Sequence, residues 1–171
     1  MTPARPRPPG LRIGQGFDVH AFSDDTSVPL VLGGVQFAGA TGLAGHSDGD
    51  VVAHAVIDAL LGAAGLGDIG QRFPDTDPAL AGSDSLDLLR QAVADVRAAG
   101  WSPQNVDCTV VLEQPKLAPR RPEIEHRLSD AVGAPVTVKG KRAERLGALG
   151  RAEGIACFAV ALVARTDGSP T

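Results

Sequence analysis

The stretch GFDVHAF, residues 16–22, sets Asp18 and His20 two positions apart in a run that reads as a strand. Side chains alternate across a strand, so this carboxylate and this imidazole share one face. Further along, Asp50, His54 and Asp58 recur every fourth residue in DVVAHAVID. On a helix that spacing makes one polar stripe opposite an apolar face. An acid and two imidazoles, Asp18, His20 and His54, form a three-ligand N/O set that suits Zn²⁺ with its fourth position open to a substrate. Spacing alone leaves the other reading open, since D-x-H pairs arise by chance and a helix histidine is often a surface or satisfied group. His46 and Ser47 lie just before the helix, where backbone N–H groups and the positive dipole end favour an anion such as phosphate. Plain N-capping by Ser47 or Asp48 is the alternative there. Asp68, Asp75 and Asp77 suit hydroxyl binding or Asx-turns. The basic, glycine-punctuated run KGKRAERLGALGR (139–151) reads as a cover over phosphates or as a solvated loop, and Glu144 within it suits a second, hard cation.

Several familiar patterns are missing. There is no G-x-x-x-x-G-K-[ST], the Gly14–Gly16 pair lacks the third glycine of a dinucleotide fingerprint, and no G-x-S-x-G elbow occurs. A chain without an evident nucleophile or activated base suits a reaction whose nucleophile is already an anion, which needs only metals and positioning.

The elements that must place these groups follow from patterning. From Leu11 the chain reads as strand. VPLVL (28–32) and VQF (35–37) flank Gly33-Gly34, a hairpin signal, and 39–45 reads as a loop. The helix opened by HSDGD carries Val52, Val56, Ala59 and Leu60 at core spacing, with acids in its first turn. Residues 62–78 read as a long Gly- and Asp-rich loop, 84–98 as a second helix stopped by Gly100, and 106–113 as a buried strand. A third helix over 122–132 ends at Gly133, and 136–139 and 154–164 are the last strands. Strands and helices alternate without a regular βαβ repeat, so the expectation is α+β: a mixed β-sheet with helices on one face, ferredoxin-like in style. One catalytic domain is expected over 11–166, between a flexible leader (1–10) rich in proline and a flexible tail (167–171).

Composition narrows the function classes. The 171 residues suit one domain with a proper core, at 43% apolar content. With one Trp and no Tyr, a stacking surface for single-stranded nucleic acid is not expected, and a net charge of -4 does not favour polyanion binding. No apolar run reaches membrane-spanning length, and MTPARPRPPG has no apolar segment of a secretory signal, so the expectation is a cytoplasmic protein with no membrane or nucleic-acid partner. Cys108 and Cys157 form no C-x-x-C pair and read as buried thiols.

IGQGFDVHAF, GHSDGDVVAHAVIDALLGAAGLGDIG, RFPDTDP, PKLAP and LGALGRAEGIA, in this order from about Arg12 to Arg165, closely resemble the 2-C-methyl-D-erythritol 2,4-cyclodiphosphate synthases. The resemblance implies a homotrimer of α/β subunits with active sites between neighbours. It implies one zinc per subunit on Asp18, His20 and His54, and a second divalent cation, Mg²⁺ or Mn²⁺, on Glu144. The implied substrate is a cytidine diphosphate ester, 4-diphosphocytidyl-2-C-methyl-D-erythritol 2-phosphate, whose 2-phosphate attacks the β-phosphorus and expels CMP in the non-mevalonate route to isoprenoids. Asp18, Val19 and His20 would border the substrate. His46 and Ser47 would hold phosphate oxygens, with His46 stabilising the transition state, and Asp58 would position the substrate or orient a zinc ligand. Asp68, Ile69 and Gly70 with Phe73, Pro74, Asp75, Thr76 and Asp77 would line the erythritol end. Leu112, Glu113, Gln114, Pro115, Lys116, Leu117 and Ala118 would form the cytidine pocket, with Lys141, Arg142, Ala143 and Glu144 across the subunit boundary.

The chain departs from that family at informative places. Many members have threonines where Lys141-Arg142-Ala143 stand, and the one matching Arg142 is credited with stabilising the transition state; Arg binds phosphate bidentately instead. Gln15 replaces a histidine of some members, and Glu113-Gln114 stand in place of Ala-Gln. Ala148 replaces a phenylalanine and lies with Arg151 near a trimer-axis cavity said to accept isoprenoid diphosphates. A metal-dependent phosphohydrolase and a non-catalytic nucleotide or isoprenoid-diphosphate binding protein are the competing readings.

Overall fold

The computed structural model describes residues 10–80 and 82–166. The segments read as leader and tail, apart from Gly10, lie outside the described residues. The chain forms β1 (Leu11–Ala21), the hairpin β2 (Pro29–Leu32) and β3 (Val35–Thr41), then helix α1 (Val51–Ala64). The short α2 (Ile69–Arg72) and a 3-10 turn (Pro78–Leu80) lead into α3 (Ser85–Ala98) and β4 (Trp101–Val111). Next come α4 (Arg121–Val132), β5 (Val136–Lys141), the short α5 (Gly147–Gly150) and β6 (Gly154–Arg165).

Four strands make the main sheet in the order β1-β6-β4-β5. β6 runs antiparallel to both neighbours, whereas β4 and β5 are parallel, so the sheet is mixed as expected. β1 and β4 run parallel with β6 between them, the split arrangement of ferredoxin-like folds. The ferredoxin-like expectation stops there: β4 and β5, joined through α4, are direct neighbours with no strand between them. β1 pairs with β6 along its whole length, from Leu11 opposite Ala164 to Ala21 opposite Gly154.

The helices cover one face, and the β6 alternation shows why. Cys157, Ala159, Ala161 and Val163 are buried beneath them, while Phe158 and Val160 point the other way. On β1 the helix-side positions are Gly14, Gly16, Asp18 and His20. A Cβ on Gly14 would fall 2.0 Å from the Ala59 carbonyl oxygen, and one on Gly16 2.0 Å from that of Ala55. The missing side chains let the α1 backbone rest directly on β1, with Ala55, Ala59 and Ala63 as its contact row.

That close approach buries α1 almost all round, His54 included. The predicted polar stripe is therefore mostly buried rather than solvated: Asp50 is wholly enclosed, His54 is buried, and only Asp58 and the exposed Gly62 further along the same row reach toward solvent. The cap is also not Ser47 or Asp48 but Asp50, whose carboxylate accepts from Val52 N and Ala53 N at 3.1 Å each. The same carboxylate takes the backbone N–H groups of Gly33 at 2.8 Å and Gly34 at 2.6 Å, and no acid follows it in the first turn. The hairpin turn, with φ of 59° and 71° at these glycines, thus selects the cap by offering two buried donors that need an acceptor. Smaller differences are extensions: β3 runs into the predicted loop as far as Thr41, α1 continues to Ala64, and β4 begins at Trp101.

The sheet face away from the helices stays apolar and open. Ile13 is 72% exposed and Val19 51%, and Leu11 and Val160 join them. Phe17 and Phe158 stack beside them with ring centroids 4.8 Å apart.

Candidate metal centre and neighbouring pockets

β1 and α1 bring the three predicted ligands together. Asp18 Oδ2 lies 3.0 Å from His20 Nε2 and 3.0 Å from His54 Nδ1, and the ligand atoms all fall within 4.8 Å of one another. The outer ring nitrogens are engaged elsewhere. His20 Nδ1 sits 2.6 Å from the Ala44 carbonyl oxygen, and His54 Nε2 sits 2.9 Å from Ser85 Oγ and 3.1 Å from Ser47 Oγ. A neutral imidazole that donates its single N–H outward turns a lone pair inward. Two inward lone pairs and a carboxylate oxygen repel unless a cation stands among them. The donor set therefore fits a borderline divalent metal such as Zn²⁺. Without a metal, a proton plays that part. Burial alone would raise the Asp18 carboxyl, but hydrogen bonds and charge from His20 and His54 outweigh it and hold it far below the usual carboxylate range. The bond to Asp18 correspondingly raises His20 against an opposing cost of burial.

The triad forms the floor of a cavity of about 380 Å³. His46, Ser47, Ile69, Gly70, Phe73 and Asp75, all named above from the resemblance, line its walls together with Leu80 and Leu88, which were not. His46 Nε2 lies 3.3 Å from the Asp77 carbonyl oxygen, so the segment before α1 is tied to the loop after α2. The Asp50 carboxylate takes the Val52 and Ala53 N–H groups of the α1 N-terminus, so of the predicted anion site it is His46 and Ser47, ahead of the cap, that line the cavity. Asp58 accepts from Ile69 N at 2.8 Å and Asp68 caps α2 through Gln71 N at 2.8 Å, so both shape the wall from behind it. Burial raises the Asp58 carboxyl. Pro74, Thr76 and Asp77 are exposed beside the cavity rather than along its lining. Val19 turns its side chain to the open face of the sheet, as alternation requires of a residue between Asp18 and His20.

A second cavity, of about 230 Å³, opens at the ends of β4 and β5. Leu112, Glu113, Pro115, Lys116, Leu117 and Ala118 line it together with Gly140, Lys141, Arg142 and, unpredicted, Arg121. The expectation that these two segments meet across a subunit boundary is corrected: they meet within one chain. Parallel pairing sets Val111 opposite Lys141, Leu112 N donates to Lys141 O at 2.9 Å, and Ala143 N donates to Glu113 Oε1 at 3.0 Å. Gln114 instead borders a separate hollow beside Phe22 and Thr41. Glu144 and Arg145 follow with φ of 52° and 65°, a strained turn that aims the loop outward. Glu144 is exposed and stands apart from the triad. Ala148 lies on α5, and Arg151 is exposed and paired with Glu153 at 2.6 Å. The two cavities share no lining residue.

An open three-ligand N/O centre beneath a wall of histidine, serine and aspartate, carried on a mixed sheet, defines an α+β enzyme built around a candidate metal site. The sequence profile of the YgbB family matches residues 11–164, and the chain belongs to that family. Similar curated proteins are 2-C-methyl-D-erythritol 2,4-cyclodiphosphate synthases. The one from Bordetella petrii is 55% identical over 160 residues, 92% of this chain and 98% of that protein. The one from Azoarcus sp. is 53% identical over the same shares. Among solved structures, the bifunctional IspDF of Campylobacter jejuni aligns with a TM-score of 0.86 at 40% identity, over 92% of this chain and 43% of that longer one. The IspF of Plasmodium falciparum, a CDP complex, aligns with a TM-score of 0.79 at 34% identity, over 92% of this chain and 98% of that one.

Proposed function

We propose that the protein cyclises 4-diphosphocytidyl-2-C-methyl-D-erythritol 2-phosphate in the non-mevalonate isoprenoid route. The substrate's 2-phosphate attacks the β-phosphorus, the bond to CMP breaks, and the 2,4-cyclodiphosphate forms. The observation that carries this reading is the convergence of Asp18, His20 and His54 on one point at the floor of a walled cavity. Zn²⁺ held by Asp18 Oδ2, His20 Nε2 and His54 Nδ1 would act as a Lewis acid on a phosphate oxygen. The attacking oxygen is already an anion, so this chain has no need of a general base. His46 and Ser47 bind and orient the 2-phosphate from the wall, and His46 donates to the oxygen on which charge builds. Ile69, Gly70, Phe73 and Asp75 enclose the erythritol end and exclude water, which would otherwise compete as nucleophile.

The cytidine end is assigned to the second cavity for its two cations, and a relative solved as a CDP complex supports a cytidine diphosphate ligand. Lys141 and Arg142 there neutralise the departing CMP phosphate, and the exposed Glu144 carboxylate would hold a second hard cation, Mg²⁺ or Mn²⁺, supplying further positive charge. One chain keeps its two cavities separate, so a complete site joins the metal cavity of one subunit to the nucleotide cavity of another. A homotrimer closed over the open apolar face around Phe17, Val19 and Phe158 meets that need and removes a large exposed patch. Two free, buried thiols, Cys108 and Cys157, suit the reducing cytoplasm.

Metal analysis of the purified protein, coupled to a CMP-release assay with ³¹P detection of the product, tests the reading. The expected result is stoichiometric zinc and a cyclic diphosphate. A ring-opened, hydrated product would make the protein a phosphohydrolase, and nucleotide binding without turnover would make it a binding protein.

A further inference from the structure

We propose that Ser85 and Asp48 are positioning residues that fix the tautomer and the orientation of His54, so that Nδ1 and not Nε2 faces the metal. The inference rests on the metal centre proposed above and goes one layer outward from it. Ser85 is the first residue of α3, and it is wholly buried. Its backbone N–H donates to Asp48 Oδ2 at 3.0 Å, and its hydroxyl donates to Asp48 Oδ1. Asp48 Oδ1 also accepts from Asp50 N at 3.1 Å, so this carboxylate collects three donors and is fixed as an acceptor. A serine hydroxyl has one hydrogen. With that hydrogen on Asp48, only lone pairs of Ser85 Oγ remain to face His54 Nε2 at 2.9 Å. His54 must then carry its proton on Nε2, which leaves the Nδ1 lone pair toward Asp18 Oδ2 at 3.0 Å.

The relay is rigid because its parts are anchored separately. α3 is capped by Asp84 and sinks Leu86, Leu88 and Leu89 into the core, while Asp48 N reaches the Ser83 carbonyl oxygen at 3.3 Å. His20 has its own partner, the Ala44 carbonyl oxygen. Each imidazole ligand is therefore backed by an acceptor from another part of the chain, the arrangement that orients metal-bound histidines and strengthens them as ligands. Ser47 Oγ, 3.1 Å from the same Nε2, faces the cavity, so Ser85 is the partner that stays in place whatever the cavity holds.

The test is zinc affinity of the metal-stripped protein by competition with a chromophoric chelator, read beside thermal unfolding. Ser85→Ala should lose about 10- to 100-fold in zinc affinity, and Ser85→Thr, which restores the hydroxyl, should recover most of it. Equal affinity in wild type and Ser85→Ala would overturn the relay while leaving the metal centre standing. A wild type that binds no zinc would bring down both. Because Ser85→Ala removes a buried group and risks unfolding, long-range ¹H–¹⁵N spectra of histidine-labelled, zinc-loaded wild type provide a second reading. A proton on His54 Nε2 with zinc at Nδ1 is expected, and zinc at Nε2 would overturn the proposal.

Discussion

The metal cavity and the cavity at the ends of β4 and β5 hold their polar groups in opposite ways. Around the first, each reactive atom is fixed from behind. Ala44 and Ser85 take the outer histidine nitrogens, and the close contact of Gly14 and Gly16 with α1 sets the distance between strand and helix. Around the second, Lys141 ends β5 and Arg142 opens the exposed loop after it, held to the β4 end through Leu112 N to Lys141 O and Ala143 N to Glu113. Atoms that must meet a reacting centre need placement to a fraction of an ångström, whereas cations that neutralise a phosphate act over a wider range. Among the departures expected from the resemblance, Glu113 and Lys141-Arg142 line the second cavity, whereas Asp18, His20 and His54 depart nowhere from the expected set.

That contrast can be broken by mutation. The largest effect is expected from His54→Ala or Asp18→Asn, which should remove bound zinc and lower turnover by about a thousandfold or more, as several kcal/mol of lost transition-state stabilisation implies. Metal content and CMP release on the same preparations measure it. Gly16→Ala comes next. Its Cβ would meet the Ala55 carbonyl oxygen at 2.0 Å, so α1 must lift from β1. A loss of about 1–3 kcal/mol in denaturant unfolding is expected, together with weaker zinc binding. Arg142→Ala should leave zinc and stability unchanged and lower kcat by about tenfold, more than it raises KM, the pattern of an interaction made in the transition state. A pure rise in KM would reassign Arg142 to nucleotide binding. Glu113→Ala should do least. It releases the loop at Ala143 and raises KM by a few-fold, about the worth of one half-buried hydrogen bond, with metal content unaltered.

The triad was legible only in part from two local rules, which left a surface or satisfied histidine equally open until the resemblance to the synthases marked the three as ligands. Alternation puts Asp18 and His20 on one face, and a helix beginning near Asp50 carries His54. The hairpin at Gly33-Gly34 and the stop at Gly133 were legible from a local rule, since left-handed turns call for glycine. Where a partner distant in sequence decides, the reading fell short. Ser47 and Asp48 read as the cap and Asp50 as part of a polar stripe, because the hairpin turn 17 residues upstream that makes Asp50 the cap is invisible locally. Gly14 and Gly16 read as a failed dinucleotide fingerprint, although their use is to admit α1. Ser85 follows a capping aspartate and resembles any helix start, and only the packing of α3 beside α1 carries it to His54. Assigning 112–118 and 140–142 to one chain required the parallel register of β4 and β5, which no local pattern contains.

The pairing of the first strand with the last has a consequence for biosynthesis. Among the described residues, β6 is the only strand hydrogen-bonded to β1, and Asp18 stands opposite Cys157 in that ladder. A ribosome making this polypeptide delivers Asp18 early, yet its strand has no sheet neighbour among the described residues until β6 has been made. The face of β1 that presents Asp18 and His20 is therefore completed late, when β6 pairs with it.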